Sequence, residues 1–244
     1  MDIIKTIGLT KRYNGFNAVK DFNITIKESE IFSLLGPNGA GKTTTIRMLT
    51  TLTVPTKGTA IINGYDIVKN PDKVRESIGV MFQETVLDEE LTAMDNMNFY
   101  ADLYNMPKSE KKKRIHELLK RLRLENRRKD RVETFSGGMK RKLELAMAML
   151  HKPKVLFLDE PSLGLDPQSR RVIWNYILKL KKQGVTIFLT THYMEEADML
   201  SDKVAIINKG RVIVVGSPEQ LKKSIRHYRP TLEDVFLHFV GELD

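Results

Sequence analysis

The sequence contains no cysteine among its 244 residues. This absence excludes a disulfide framework, a thiolate metal site, an iron–sulfur cluster bound by cysteine and a cysteine nucleophile. No apolar run reaches the roughly 18–20 residues that a membrane-spanning helix needs. The first residues, MDIIKTIGLTKRY, also lack the apolar region of a secretory signal peptide. We therefore expect a soluble, intracellular protein.

Positive charge is concentrated in one segment. The chain has 40 Lys and Arg residues, 31 Asp and Glu residues and a net charge of +9. Between Lys108 and Lys142, 15 basic residues face 5 acidic ones, so the rest of the chain is almost neutral. Phe135 is the one Phe, Tyr or Trp residue of this segment, whereas nucleic-acid binding usually adds aromatic residues that stack on bases. We expect no direct nucleic-acid contact. The segment is either a solvated face or a surface for anionic lipid headgroups.

The hydrophobic pattern predicts an α/β protein with a mostly parallel sheet. Short apolar runs predict strands at Ile31–Leu35, Val155–Leu158, Val185–Thr190 and Val204–Ile207. Periodic patterns predict helices at Thr43–Leu49, Leu143–Leu150 and Ser169–Lys182, and an amphipathic helix that buries Ile115, Leu118, Leu119 and Leu122. Strands that alternate with helices imply crossover connections between parallel strands.

Two hairpins depart from this parallel pattern and predict an antiparallel β wing. One joins Val204–Asn208 to Arg211–Val215, and the other joins Asn23–Lys27 to Ile31–Leu35. Residues 86–150 contain no convincing strand, which predicts a helical subdomain inserted into the α/β core. No internal repeat is present, so a single compact domain is favoured.

A phosphate-binding loop follows the first buried strand. The residues Gly36-Pro37-Asn38-Gly39-Ala40-Gly41-Lys42-Thr43 match the pattern G-x-x-x-x-G-K-[ST], and Thr44 continues into the predicted helix. The glycines allow successive backbone N–H groups to point into one concavity, to which the helix N-terminus adds partial positive charge. Lys42 can reach the β- and γ-phosphates, and the Thr43 hydroxyl can ligate Mg²⁺. The pattern predicts that this segment binds ATP.

Two carboxylates follow the strand VLFL, namely Asp159 and Glu160. Ligands of open α/β sheets bind at the carboxyl ends of the strands. We assign Asp159 to Mg²⁺ and Glu160 to the deprotonation of an attacking water molecule. Without the upstream phosphate loop, this Asp-Glu-Pro sequence would be interpreted as a surface turn.

A second anion-binding motif, Ser136-Gly137-Gly138, precedes the helix that begins near Lys140. A hydroxyl, an exposed backbone and a helix N-terminus together can hold a phosphate, although an ordinary helix cap is the simpler interpretation. In a head-to-tail homodimer, this motif of each chain would close on the nucleotide of the other.

In this order, the motifs resemble those of the ATP-binding-cassette (ABC) ATPases, over nearly the whole chain. The matching segments are GPNGAGKT, FSGGM, VLFLDEP with the following SLGLD, GVMFQE and TTHYMEEAD. The resemblance implies a P-loop NTPase core, ATP and Mg²⁺ as cofactors, and ATPase activity. It divides the single domain into a core at about 1–85 and 151–217, a helical subdomain at about 86–150 and a C-terminal helical extension at about 218–244.

The resemblance also implies roles for four further residues. Tyr13 would stack on adenine, Gln83 would sense Mg²⁺ and the attacking water, Asp166 would connect the two nucleotide sites, and His192 would contact the γ-phosphate. Each has a simpler interpretation. Tyr13 could be a half-buried surface aromatic, Gln83 a solvated loop residue and His192 a histidine near the core. Asp166, which precedes Pro167, could cap the following helix.

The chain departs from the family pattern at three positions. Phe135 and Met139 flank the Ser-Gly-Gly motif where Leu and Gln are usual, which leaves the anion site intact. Ser29 stands before Glu30 where a glycine is usual, and a positive φ at Ser29 would strain the backbone.

The segment Ser162–Trp174 and the ending RPTLEDVFL resemble the drug-exporter, daunorubicin-resistance type of ABC subunit. This resemblance implies a chain that powers a separate integral-membrane permease from the inner, cytoplasmic face of the membrane. The permease would dock in a groove whose lip runs from Gln83 to Leu103. The alternative is a non-transport ABC ATPase in a soluble assembly for iron–sulfur cofactors or nucleic acid. The terminal apolar residues Leu232, Val235, Phe236 and Phe239 either pack a helix on the core or contact a second copy.

Overall fold

The computed structural model describes residues 1–225 and 227–241. The predicted extension at 218–244 therefore lies partly outside the described residues. The strands are β1 (Asp2–Tyr13), β2 (Phe16–Phe22), β3 (Thr25–Lys27), β4 (Ile31–Leu35), β5 (Lys57–Ile62), β6 (Tyr65–Asp66), β7 (Ile78–Met81), β8 (Val155–Asp159), β9 (Thr186–Thr191), β10 (Lys203–Asn208) and β11 (Arg211–Gly216). The α-helices are α1 (Lys42–Leu49), α2 (Pro71–Ser77), α3 (Ala93–Leu103), α4 (Lys108–Arg121), α5 (Gly137–Ala148), α6 (Pro167–Lys182), α7 (Met194–Leu200), α8 (Pro218–Lys223) and α9 (Leu232–Val240). Single 3₁₀ turns lie at Glu125–Arg127 and Val132–Thr134.

A six-stranded sheet in the order β11-β10-β4-β9-β8-β7 forms the centre of the molecule. Its strands pair in parallel from β10 to β7, and β11 pairs antiparallel with β10. Every residue of β4, β8 and β9 is buried, as expected for parallel strands that are covered on both faces. Since these three strands run in the same direction, the residues that follow them meet at one edge of the sheet. This edge is where ligands of open α/β sheets bind.

A second sheet is antiparallel, with the order β2-β1-β5-β6 and with β3 paired to β1. The predicted hairpin between Asn23–Lys27 and Ile31–Leu35 is wrong, because β3 pairs with β1 in this sheet, whereas β4 lies between β9 and β10 in the other. All five residues of β4 are buried, so this strand needs cover on both faces, and an edge hairpin would expose one of them. The other predicted hairpin, β10–β11, is confirmed.

The two faces of the parallel sheet bury different clusters. Phe157 of β8 packs against Phe188 of β9 and, with the antiparallel sheet and α1, forms one core. Its neighbours Leu156 and Leu158 point the other way and pack with α3 to α6. The alternation follows from the two-residue period of a strand. The predicted α/β architecture is confirmed.

Helices occupy most of the segment from residue 93 to residue 148. The predicted amphipathic helix corresponds to α4, and its four apolar residues are almost completely buried. The terminal helix α9 buries Leu232 and Val235 against Leu35 and Ile206, which supports packing on the core. In the part of the chain that the structure describes, no helix combines the length and hydropathy needed to span a bilayer. The division into core, helical subdomain and extension stays a prediction.

Ser29 has the positive φ that would strain a non-glycine residue, +59°. This conformation costs an L-residue about 1–2 kcal/mol, while glycine loses about 0.5–1 kcal/mol more entropy on folding. We expect Ser29→Gly to raise the free energy of unfolding by about 0.5–1 kcal/mol and Tm by about 1–4 °C. The Ser29 backbone N–H keeps its bond to Thr186 Oγ1. The test is thermal unfolding of Ser29→Gly, with Ser109→Gly as the control. The control places a glycine inside helix α4 and should therefore lower Tm. Equal losses of stability in both variants would contradict the strain at Ser29.

Candidate active site

The phosphate loop connects β4 to α1 and needs glycine at two crowded positions. A Cβ on Gly36 would lie 2.4 Å from the carbonyl oxygen of Ile207, and one on Gly41 would lie 2.4 Å from that of Ala18. Gly41 also has a φ of +106°. No side chain of the described residues caps the N-terminus of α1, and its first turn has no acidic residue. The loop therefore leaves the positive end of the helix available to an anion.

A cavity of about 320 Å³ opens above this loop. Its lining includes most of the predicted phosphate-binding residues, together with one residue of β2 and two further predicted site residues: Ala18, Pro37, Asn38, Gly39, Gly41, Lys42, Thr43, Thr44, Gln83 and Glu160. A second cavity of about 210 Å³ shares Thr43 and Gln83 with the first and adds Asp159. The structure thus brings the phosphate loop, both carboxylates and Gln83 together.

Lys42 is buried at the floor of the larger cavity. Its Nζ donates hydrogen bonds to the carbonyl oxygens of Gly36, at 2.7 Å, and Pro37, at 3.2 Å. It also lies 3.2 Å from Glu160 Oε1. These contacts hold the positive charge beside the loop that surrounds the predicted phosphate position.

Asp159 and Glu160 occupy different environments although they are adjacent. Asp159 Oδ1 accepts a hydrogen bond from Thr190 Oγ1 at 2.5 Å, whereas its Oδ2 is buried and has no hydrogen-bond partner among the described residues. Glu160 Oε2 lies 2.5 Å from His192 Nδ1. Glu160 and His192, which were predicted separately as site residues, are therefore in direct contact, and Asp159 keeps one oxygen available for another group.

Glu160 adopts a strained backbone conformation, with a φ of +52° immediately before Pro161. Its N–H donates to the carbonyl oxygen of Thr190 at 3.1 Å, which fixes the strained residue to β9. Strain of this kind costs on the order of 1–3 kcal/mol and persists where surrounding contacts enforce it. Thr190 was not predicted as a site residue, because its only sequence signal is its position two residues before His192 in a buried strand.

The Ser-Gly-Gly motif lies at the N-terminus of α5, and its residues are not among those that line the two cavities. Ser136 Oγ accepts a hydrogen bond from the Met139 N–H at 3.3 Å, so the serine caps its own helix. A Cβ on Gly137 would meet no atom within 4 Å, whereas one on Gly138 would lie 2.4 Å from Ser169 Oγ. The motif is therefore open on the side of Gly137 and packed against α6 on the side of Gly138.

Asp166 caps α6 and lies next to this motif. Its Oδ1 accepts a hydrogen bond from the Ser169 N–H at 2.9 Å. Hydrogen bonds from Ser169 lower the pKa of Asp166, which favours the ionised carboxylate. The simpler interpretation as a helix cap is confirmed, and a role between two nucleotide sites stays a prediction.

Tyr13 is the last residue of β1 and is 44% exposed. Lys11 Nζ lies 5.0 Å from the centre of its ring. Tyr13 is not among the residues that line the two cavities. The lining residue that comes from the antiparallel sheet is Ala18 of β2. Its adenine-stacking role stays a prediction.

Glu196 of α7 supports the loop that carries His192. It is buried, and its Oε1 accepts a hydrogen bond from Trp174 Nε1 of α6 at 2.8 Å. Burial raises the pKa of Glu196, which favours the protonated, neutral carboxyl group. This contact fixes α7 to α6 immediately after the histidine.

Comparison with known proteins identifies the family. The ABC transporter family matches residues 19–163, more than half of the chain. The chain is 44% identical over 205 residues to the doxorubicin resistance ATP-binding protein DrrA of Mycobacterium tuberculosis. The matched region is 84% of this chain and 62% of that protein. It is 41% identical over 219 residues to the linearmycin resistance ATP-binding protein LnrL of Bacillus subtilis, covering 90% of this chain and 70% of the relative.

Solved structures agree with this assignment. The ATP-binding subunit of an ABC transporter matches with a TM-score of 0.88 and 30% identity, over 97% of this chain and 99% of the other. A dimeric ATP-binding cassette in a post-hydrolysis state, bound to ADP and Pi, matches with a TM-score of 0.81 and 28% identity, over 88% and 98% of the two chains. With the motifs in this order and geometry, the chain belongs to the ABC transporter family, among relatives that are drug-resistance ATP-binding proteins.

Proposed function

We propose that this chain binds and hydrolyses ATP as the ATP-binding subunit of an ABC exporter. The observation that carries the proposal is the contact of Glu160 with both Lys42 and His192 at the phosphate-loop cavity. One carboxylate thus lies between the cation expected at the β- and γ-phosphates and a histidine that can hold or release a proton.

Glu160 is the proposed general base. Its buried carboxylate would orient a water molecule and accept a proton from it, with His192 Nδ1 at 2.5 Å to fix the orientation of the carboxylate. In the structure Lys42 contacts Glu160, and a bound γ-phosphate would compete for the same ammonium group. ATP binding is therefore expected to release Glu160 from Lys42 toward the attacking water.

The residues present fit an ATP-bound Mg²⁺. Asp159 Oδ2 is a buried carboxylate oxygen without a hydrogen-bond partner in the described part of the chain, and Asp159 lines the same cavity as Thr43 and Gln83. Mg²⁺ in nucleotide sites uses one or two protein oxygens besides phosphates and water. A cluster of three acidic or histidine ligands is therefore not needed, and residues 1–225 and 227–241 contain none. When bound, Mg²⁺ would neutralise charge on the phosphates.

Head-to-tail dimerisation accounts for the position of the Ser-Gly-Gly motif. Ser136, Gly137 and Gly138 lie outside their own chain's phosphate cavity, and Gly137 is open to solvent. We propose that these residues contact the γ-phosphate held by a second copy, with Asp166 beside them at the interface. The dimeric form of the related post-hydrolysis cassette supports this proposal.

An apolar surface supports docking of a separate permease at the cytoplasmic face of the membrane. The segment after Gln83 leaves four large apolar side chains 38–61% exposed: Val86, Leu91, Phe99 and Leu103. A contiguous patch of exposed apolar side chains commonly marks a protein interface, and we propose that these four residues form one. The segment begins beside the nucleotide cavity, so movement of Gln83 could be transmitted to a partner seated there.

Co-expression with a candidate permease, meaning a membrane protein whose gene adjoins the gene of this chain, tests the transport function. We expect the two proteins to purify together in detergent and to lower cellular accumulation of doxorubicin or linearmycin, the compounds of the related resistance proteins. The pair containing Glu160→Gln should not lower it. Leu103→Ser should weaken the association, whereas Leu237→Ser, at a similarly exposed leucine of α9, should not. Stable association with a soluble protein alone would contradict the exporter assignment.

A further inference from the structure

Arg141 connects three parts of the candidate site. It lies on α5, one turn after the Ser-Gly-Gly motif. One guanidinium nitrogen, Nη1, donates to the carbonyl oxygen of Phe82 at 2.8 Å. The other, Nη2, donates to the carbonyl oxygen of Glu160 at 2.9 Å and approaches that of Asp159 at 3.4 Å. These carbonyls belong to the residue before Gln83, to Asp159 at the end of β8 and to the following residue, Glu160.

The contacts of Arg141 are protected from solvent. Its side chain is 11% exposed, and it forms an ion pair at 2.8 Å with Glu144, which is 3% exposed. Glu144 lies one turn further along α5, and its Oε2 accepts a hydrogen bond from Arg141 Nη1, which fixes the orientation of the guanidinium. A planar group with five N–H donors can bond several carbonyl oxygens in fixed directions, which a lysine ammonium does not reproduce.

The bond to the Glu160 carbonyl acts on the strained residue. Thr190 holds the N–H of Glu160, and Arg141 holds its C=O. The φ of +52° is therefore fixed from both sides, by β9 and by α5. Loss of the second bond would let the peptide relax and displace the carboxylate from its contact with His192.

We propose that Arg141 is a positioning residue for ATP hydrolysis. Its hydrogen bonds fix the positions of the Phe82–Gln83 peptide and of the Glu160 carbonyl relative to α5, the helix that begins at the Ser-Gly-Gly motif. Displacement of that helix by a second copy's nucleotide would move both groups together. This inference rests on the proposed roles of Glu160 and Gln83.

Arg114 provides a matched control on α4. Like Arg141, it is mostly buried, pairs with a glutamate three residues later and donates to two backbone carbonyls. Its acceptors are the carbonyl oxygens of Met149 and Leu150, the two residues that follow α5. The two arginines therefore make similar structural contacts, but only Arg141 reaches the residues of the candidate active site.

The test replaces each ion pair as a unit, so that no buried carboxylate loses its partner. We expect Arg141→Met with Glu144→Met to lower kcat at least about 10-fold, since a displacement of about 1 Å can cost about 100-fold. The Kd for ATP should change less than about twofold, and Tm should match that of Arg114→Met with Glu117→Met, which should keep its kcat. A kcat within twofold of that control pair would overturn the proposal.

A single substitution covers the case in which the double variant does not fold. Arg141→Lys keeps a cation beside Glu144 and should still lower kcat without raising the Kd for ATP. In combination with Glu160→Gln it should lower kcat no further, because both changes remove the same function. Additive losses, or a wild-type kcat for Arg141→Lys, would overturn the proposal. Wild-type turnover in Glu160→Gln alone would instead contradict the proposed function.

Discussion

Replacement of Glu160 by glutamine is expected to lower the rate of ATP hydrolysis by about 100- to 10,000-fold. The amide has nearly the shape of the carboxylate but cannot accept a proton from water. The change also removes the negative charge beside Lys42, at 3.2 Å, so ATP should bind at least as tightly as to the wild-type chain. Steady-state hydrolysis and equilibrium ATP binding measure the two effects separately.

Glu195→Gln is the control for this substitution. Glu195 lies on α7, three residues after His192, and its side chain is 72% exposed. The same chemical change there should leave hydrolysis unchanged. Equal turnover of Glu160→Gln and Glu195→Gln would remove Glu160 from the mechanism.

Replacement of Lys42 by alanine is expected to weaken ATP binding by about 2–4 kcal/mol, or about 30- to 1,000-fold in Kd. The ammonium group lies at the floor of the phosphate cavity, and no other described lining residue is a lysine or arginine. The change also leaves the buried Glu160 without its cation, so Tm should fall as well.

Binding of ATP and of ADP by calorimetry measures the effect of Lys42→Ala. Lys223→Ala, at an exposed lysine of α8, should bind both nucleotides like the wild-type chain. A Kd for ATP that is unchanged in a folded Lys42→Ala chain would remove the phosphate-loop assignment.

Local sequence patterns predicted those parts of the site that consist of consecutive residues directly after a strand. The phosphate loop follows β4, and Asp159 and Glu160 follow β8, because each motif directly continues a buried strand. The parallel sheet then places these ends side by side. The pairing of Asp159 with Thr190 in register explains why distant segments share one hydrogen-bond network.

Pairing between distant strands was less predictable. The apolar β4 has the length and flanking turn of a hairpin strand, yet burial of both faces places it between β9 and β10. The strands β1, β2, β5 and β7 were not predicted. Three of them lie in or at the edge of a sheet that is partly exposed, where the hydrophobic signal is diluted.

Arg141 could not be assigned from the sequence, where it is one of many basic residues between Lys108 and Lys142. Its partners are backbone carbonyls, which carry no residue-specific signal, and Phe82 lies 59 residues away in the chain. Several other basic residues of the segment form ion pairs on the surface, including Arg127 with Asp130 and Arg128 with Glu125. The basic residues of this segment therefore include members of solvated ion pairs and one buried arginine that contacts the candidate site.

We propose that ATP joins two copies head to tail, with each Ser-Gly-Gly motif closing on the other's phosphate loop. Because the chain has no cysteine, introduced thiols are its only ones. One chain carrying Asn38→Cys and another carrying Gly137→Cys, both with Glu160→Gln, can be mixed and treated with a short thiol cross-linker. We predict a covalent dimer with Mg²⁺ and ATP that forms much faster in the mixture than with either chain alone, and little with ADP. A yield independent of nucleotide, in chains that bind ATP, would contradict the head-to-tail dimer.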